Sequence, residues 1–195
     1  MVPNMSVAIH QPMTLAEFLA WEARQEPRWE FDGFQPVSMT GATLAHEIIG
    51  GNVRTALQNR LAGSRCRALG PTMKIEVAGR IRYPDAFVIC TQGPPRSTVV
   101  RDPIVVFEVL GDSTAHTDHF TKLREYSATP PIQRYIMLEQ DAIEAIAYVR
   151  DGTNFMVETL TADDTMRMPE IDIEIPMTEF YTGLDLTDQA AAQAG

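Results

Sequence analysis

Cysteine is scarce in this chain. Cys66 and Cys90 are the only two in 195 residues and share no CxxC spacing, which excludes a disulfide framework or a zinc site and leaves two reduced core thiols as the expectation. Long apolar runs are missing as well. None approaches the ~18 residues of a membrane span, and Met1 to Pro12 lacks the basic start and apolar stretch of a secretory signal. A cytoplasmic protein with no membrane partner is the default expectation. Internal repeats are absent, which excludes a solenoid or a propeller. Positive charge is the third deficit, with 16 Lys and Arg against 26 Asp and Glu and a net charge of −10. Nucleic-acid binders draw much of their affinity from neutralising phosphates, so this balance argues against an indiscriminate polyanion binder. It does not exclude a local groove, because Arg54, Arg60, Arg65, Arg67, Lys74, Arg80, Arg82, Arg96 and Arg101 concentrate in the middle of the chain.

Hydrophobic content of 45% and charged content of 22% are those of an ordinary globular chain, long enough at 195 residues to bury a core in one domain. Residues 1–12 read as a flexible arm, 13–186 as the domain and 187–195 as a frayed tail. Thr14 and Glu17 form a capping box that opens a helix ending near Pro27. Asp32-Gly33 predicts a tight hairpin turn with both residues at positive φ, placing Glu30 on a strand beside it. Apolar residues at helical spacing predict a long helix over 43–61. Short strands follow at 66–69 and 72–77, then a turn at Ala78-Gly79 and a strand running through Asp85. A loop to Pro103 precedes the strand 104–110. A helix reaching Ser127 and a strand at 134–138 complete a crossover whose two strands should be parallel. A hairpin around Asp151-Gly152 and an edge strand over Ile171, Ile173 and Ile175 close the reading. The fold class is α/β or α+β, a mixed central sheet flanked by helices with additional β-hairpins.

Two apolar strands each carry one carboxylate: Asp85 in Tyr83-Pro84-Asp85-Ala86-Phe87-Val88-Ile89, and Glu108 in Ile104-Val105-Val106-Phe107-Glu108-Val109-Leu110. Asp85 alone can be a solvated acid at a strand entry. Glu108 is harder to solvate, and a buried Glu must find a partner or take up a proton. If the strands are neighbours, the two acids can share a divalent ion, because Mg2+ takes hard oxygen ligands and keeps several waters. Lys122 lies four residues after Asp118 and four before Tyr126, so the three share a helix face. They form either a surface ion pair or a cation facing the carboxylates. Glu30 reads as an exposed hairpin residue or as support for the site. His46 reads as a core histidine, with contact to a substrate phosphate as the functional alternative. His116, Asp118 and His119 read as a solvated helix start, with a separate metal cluster as the alternative.

These segments, in their order and spacing, resemble the PD-(D/E)XK nuclease superfamily, and more closely its Uma-two branch of restriction-endonuclease-like proteins. The likeness runs from about Met13 to Tyr148 through Trp29-Glu30-Phe31-Asp32-Gly33, Arg82-Tyr83-Pro84-Asp85, Val106-Phe107-Glu108-Val109-Leu110 with Asp112-Ser113-Thr114, and Asp118 through Lys122 to Tyr126. The resemblance implies that Asp85, Glu108 and the Val109 carbonyl ligate Mg2+ or Mn2+. It also implies that Glu30 supports the site and that Lys122 assists catalysis. Position 110, where the superfamily pattern places lysine, is Leu110, and in this branch the lysine has moved to the following helix. The expected activity is metal-dependent endonucleolytic hydrolysis of DNA by a homodimer. The alternative is a non-catalytic dimerising or binding module on the same fold.

Overall fold

The computed structural model describes residues 12–39, 41–111 and 115–186, with residues 115–118 described as backbone only. The proposed arm, apart from Pro12, and the tail from residue 187 fall outside these residues. Helix α1 (Leu15–Glu22) begins where the capping box sets it, with the Glu17 amide donating to Thr14 Oγ1 at 3.3 Å and the Thr14 amide to Glu17 Oε2 at 2.7 Å. Strands β1 (Trp29–Phe31) and β2 (Pro36–Ser38) form the expected hairpin around a different turn. Only Gly33 takes positive φ, at 98°, and Asp32 instead accepts the Phe34 and Gln35 amides at 2.8 Å each. The Asp32 carboxylate satisfies those amides from ordinary backbone, so the connection widens to four residues.

Helix α2 (Leu44–Arg60) starts at its Thr43 cap and buries Ile49, Val53, Ala56 and Leu57. Strands β3 (Arg67–Leu69), β4 (Lys74–Val77) and β5 (Arg80–Arg82) follow, β4 and β5 being joined by Ala78 and Gly79 at φ 47° and 75°. The strand expected to run unbroken through Asp85 is two strands. The chain leaves β5 at Arg82, crosses Tyr83-Pro84-Asp85, and enters β6 (Ala86–Ile89) in a different sheet. Proline cannot donate to a ladder, so it sits at the switch between sheets. The stretch before Pro103 contains the short β7 (Val99–Val100). Beyond it, β8 (Val105–Val109), α3 (Ala115–Ser127) and β9 (Arg134–Leu138) form the predicted crossover, and β8 pairs parallel with β9.

Strands β10 (Ala145–Asp151) and β11 (Asn154–Leu160) make the second hairpin. An unpredicted strand, β12 (Thr165–Met168), pairs with β13 (Ile173–Pro176). The expected edge strand begins at Ile173, not Ile171, because Ile171 closes a 3-10 turn and Asp172 is left-handed at φ 56°. A last short helix, α4 (Met177–Phe180), packs on α2.

The six-stranded sheet runs β11-β10-β9-β8-β6-β3, and the five-stranded sheet β2-β1-β5-β4-β7. Strands β8 and β9 are buried along their whole length, as their near-continuous apolar sequences require. On β8 the alternation is clean. Val105, Phe107 and Val109 face a core built with α2, α4 and the β12–β13 pair. Val106 faces a second core, which holds Tyr126 of α3 with Ile75 and Val77 of the five-stranded sheet. α1 covers a third, smaller core with Phe18 stacked on Phe31.

Cys66 and Cys90 form a disulfide rather than the expected pair of free thiols. The reason is register: Arg67 pairs with Ile89 across β3 and β6, which sets the two cysteines opposite each other one step further on. Sequence spacing carries no information about that pairing.

Charge is buried where the sheets meet α3. Arg82 Nε and Nη2 each donate at 2.7 Å to the two oxygens of Glu125, and Nη1 donates to Glu30 Oε2 at 3.1 Å. Arg82 is 3% exposed and Glu125 1%. Arg80 adds a second cation 3.1 Å from Glu125. Removing one partner from such a pair leaves an uncompensated buried charge, at about 3–5 kcal/mol. Arg82→Ala is therefore expected to lower unfolding free energy by about that amount in urea denaturation, and a loss under about 1 kcal/mol would show that the cluster is solvated.

Candidate active site

Strands β6 and β8 are antiparallel, with Ala86 opposite Phe107, so the residue that leads into β6 and the last residues of β8 meet at one end of the sheet. Asp85 leads into β6. Its Oδ2 accepts the Val109 amide at 2.8 Å and lies 3.3 Å from His46 Nε2. Glu108 projects from β8 toward α3. Its Oε1 accepts from Tyr126 Oη at 2.9 Å and from Lys122 Nζ at 3.2 Å. Lys122 and Tyr126 are one turn apart on α3, so the helix face inferred from spacing points at the Glu108 carboxylate. The side chain of Asp118, the third member of that face, lies outside the described residues, as does that of His116.

Each carboxylate uses one oxygen for these partners. Asp85 Oδ1 and Glu108 Oε2 meet no hydrogen-bond donor among the described residues. Glu108 is only 8% exposed. Burial raises its carboxyl to about 7; Lys122 opposes the shift, Asp85 and Glu30 add to it, and the Tyr126 hydroxyl opposes it. His46 is raised above the usual imidazole range, chiefly by its hydrogen bond to Asp85 and against the cost of burial. Tyr126 is raised too, by burial and by the negative charge of Glu108.

Glu30 stands one layer out. Its Oε1 accepts the Tyr83 amide at 3.0 Å while Oε2 takes Arg82, so it fixes the backbone two residues before Asp85. Lys74, the other lysine near these strands, is committed elsewhere: it is ion-paired with Glu22 and lies over the Tyr83 ring. Leu110 packs against the second core and places no charge at the site.

Sequence reasoning passed over Arg82 and Glu125. The only signal was Glu125 standing next to Tyr126 on α3 and Arg82 within Arg82-Tyr83-Pro84-Asp85, and nothing in the spacing says that the two meet.

The donor set fits a small hard cation. Two carboxylate oxygens lack donors, and a buried Glu resists ionisation without more positive charge nearby, which is what a divalent ion supplies. Among the described residues no group of three or more His, Cys, Asp or Glu side chains is arranged to hold a metal ion. The groups that could hold such an ion are Asp85 and Glu108, with water completing its shell. This is the coordination Mg2+ tolerates and zinc does not favour.

A model of a family described as putative restriction endonucleases, Uma2, matches residues 15–178. The chain belongs to the Uma2 family. Among curated sequences, the uncharacterized protein slr1290 of Synechocystis is 27% identical over 188 residues, covering 94% of this chain and 99% of that one. A second Synechocystis protein, sll1609, also uncharacterized, is 26% identical over 155 residues, with 76% and 86% covered. The crystal structure of a protein from Anabaena variabilis, described as a putative nuclease belonging to DUF820, superposes with a TM-score of 0.74. That match covers 88% of this chain and 98% of the other at 16% identity, which establishes a shared fold. The mixed-sheet, helix-flanked Uma2 architecture is thus the one the sequence pointed to. No helix among the described residues is long and apolar enough to cross a membrane.

The raised Glu108 pKa carries a stability consequence. A carboxyl whose folded pKa lies above its unfolded value of about 4.3 adds stability below that value and loses it as pH rises through about 7. In EDTA, Glu108→Gln should gain melting temperature relative to wild type between about pH 5 and about pH 8. A gap that stays constant across that window would mean Glu108 is already ionised in the folded protein.

Proposed function

We propose that this Uma2 protein is a Mg2+- or Mn2+-dependent endonuclease that hydrolyses phosphodiester bonds in DNA. The observation that carries the reading is the meeting of Asp85, Glu108 and Lys122 at one sheet end, with one uncommitted oxygen on each acid. Asp85, Glu108 and the Val109 carbonyl would hold the ion. When bound, it polarises a phosphate oxygen and lowers the pKa of a coordinated water.

The chain's own groups do the positioning. The Val109 amide and His46 fix the Asp85 rotamer, and the Tyr126 hydroxyl fixes that of Glu108. Lys122 brings a positive charge to the carboxylates from α3, where its ammonium can orient attacking water and meet charge that develops on the phosphate. Glu30 contributes from outside by holding Tyr83, and so the approach to Asp85. DNA as substrate is supported by the family's description and by the fold it shares with the Anabaena protein. We also propose a cytoplasmic homodimer, since cutting both strands of a duplex takes two such sites and two-fold pairing is the commonest symmetry. In a reducing cytoplasm the Cys66–Cys90 bond would tend to open.

A second reading has its own support. The net charge is −10, and Arg60, Lys74, Arg80, Arg82 and Arg101, all from the basic middle of the chain, are paired with carboxylates. A binding module that never cleaves fits that charge pattern.

Calorimetric titration of Mn2+, followed by incubation with plasmid, separates the two. Wild type should bind the ion and cut, whereas Asp85→Ala and Glu108→Ala should do neither, because removing one of two hard ligands leaves too little negative charge at the site to hold the ion. Lys122→Ala should retain the fold and the ion while cleavage falls by about 10²–10³. Cleavage that survives Lys122→Ala but not Lys74→Ala would move the site to Lys74. Wild type that cuts no duplex or single strand would hand the function to the binding module. Light scattering should give twice the chain mass at micromolar concentration, and a monomer there would sink the dimer.

A further inference from the structure

Three residues of α2 line up along Asp85. His46, Gly50 and Arg54 stand four apart, so they form one stripe on the helix. His46 meets the Asp85 carboxylate, and a Cβ on Gly50 would lie 3.9 Å from Asp85 Cβ. Arg54 Nη1 donates to the Asp85 carbonyl oxygen at 3.2 Å. The arginine is laid flat against backbone that has no side chains. A Cβ on Gly50 would come within 3.2 Å of Arg54 Nη1, and one on Gly70, in the turn between β3 and β4, within 2.6 Å of its Cδ. Neither Gly50, inside α2, nor Gly70, in the turn, has positive φ, so no left-handed backbone requires a glycine at either position. What their missing side chains provide is room for this one guanidinium.

Arg54 also shares an un-neutralised charge with Arg65, Arg67 and Arg96 among the described residues, and it is the one of these seated against Asp85. Five of the nine central cations are neutralised by carboxylates, whereas no acid pairs with Arg54 among the described residues. One of its five N–H groups is used on a carbonyl, and the half-buried fork keeps the others. A seated, un-neutralised guanidinium is the group best suited to grip a phosphate, because its planar N–H edges match two phosphate oxygens.

We propose that Arg54, seated on Gly50 and Gly70 beside Asp85, binds a backbone phosphate of the nucleic-acid strand next to the one that is cut, and that α2 is the wall along which that strand lies. This rests on the nuclease reading of the Asp85–Glu108 site and names a substrate contact for it. In a chain with a large net negative charge, such a contact concentrates positive potential at the one place where phosphate must approach two carboxylates.

The test is binding, not cleavage. Fluorescence anisotropy of labelled single-stranded and duplex oligonucleotides, with Ca2+ in place of Mg2+, gives affinity as a function of salt. Arg54→Ala should weaken binding roughly tenfold and reduce the slope of log affinity against log salt by about one. Mn2+ affinity by calorimetry should stay at the wild-type value. Gly70→Ala supplies a steric control with no charge change. Its new Cβ displaces only the flexible arm of Arg54, so the fold and the metal should be unaffected while nucleic-acid affinity drops severalfold.

Wild-type affinity and salt slope in both variants would overturn the proposal and leave the nuclease reading intact. A parallel loss of Mn2+ affinity in Arg54→Ala would overturn it too, by showing that the arginine merely braces Asp85. Wild type that binds neither oligonucleotide would sink the proposal and the nuclease reading together.

Discussion

The bidentate bond between Arg82 and Glu125 is the constraint on which both halves of the site depend. Arg82 belongs to β5, Glu125 to α3 and Glu30 to β1, so one guanidinium joins three elements far apart in sequence. On α3 the bond fixes the turn that carries Lys122 and Tyr126, and with it the direction from which they meet Glu108. On the other side, Glu30 passes the constraint to the Tyr83 amide and hence to the approach to Asp85. With Arg80 the cluster holds two cations and two carboxylates, so it is neutral as a whole although nearly every member is buried. Well-packed apolar residues could match its stability, since burying charge costs several kcal/mol per ion. They would not match its directionality, because a guanidinium with each nitrogen assigned to a partner admits few geometries.

The same internal pairing explains how a strongly acidic chain can face a polyanion. Most of the central basic residues serve internal carboxylates and contribute little to the outer field. On the proposed nuclease function, the cations nearest a bound phosphate would be Lys122 against Glu108 and Arg54 along Asp85. An affinity built that way is local and depends on geometry, in contrast to the diffuse attraction of a basic surface.

Much of the fold could be read from sequence because the signals were local. The Thr14–Glu17 box, the Ile49–Val53–Leu57 stripe and the unbroken apolar run of β8 each name their own element. The Glu108 carboxylate stands out for the same reason, a single acid in an otherwise apolar strand. What stayed hidden was decided by partners remote in sequence. Tyr83-Pro84-Asp85 reads as the continuation of a strand, yet the chain changes sheets there, and only the pairing of β5 with β4 and of β6 with β8 reveals it. Arg82 and Glu125 lie 43 positions apart and look like surface charges until the fold buries them. The disulfide depended on β3–β6 register, and strands as short as β7 carry too few residues for any period to show.

The seat of the lysine follows from the same geometry. Strand residues two apart share a face, so position 110 looks out on the side of Val106 and Glu108. A lysine there would hold its ammonium beside the Glu108 carboxylate from within the strand. In this chain Leu110 packs into the second core instead, and Gln140 donates to its carbonyl oxygen. The ammonium reaches the same carboxylate from α3, at 3.2 Å. If Lys122 acts at a phosphate as proposed, only the final position of Nζ matters, and two routes through the backbone arrive there. The helical route has a structural cost, because the ammonium is only as well placed as α3 is. That explains why the buried Arg82–Glu125 bond lies within one turn of Lys122, where a change in helix register would move the cation away from the carboxylates it must face.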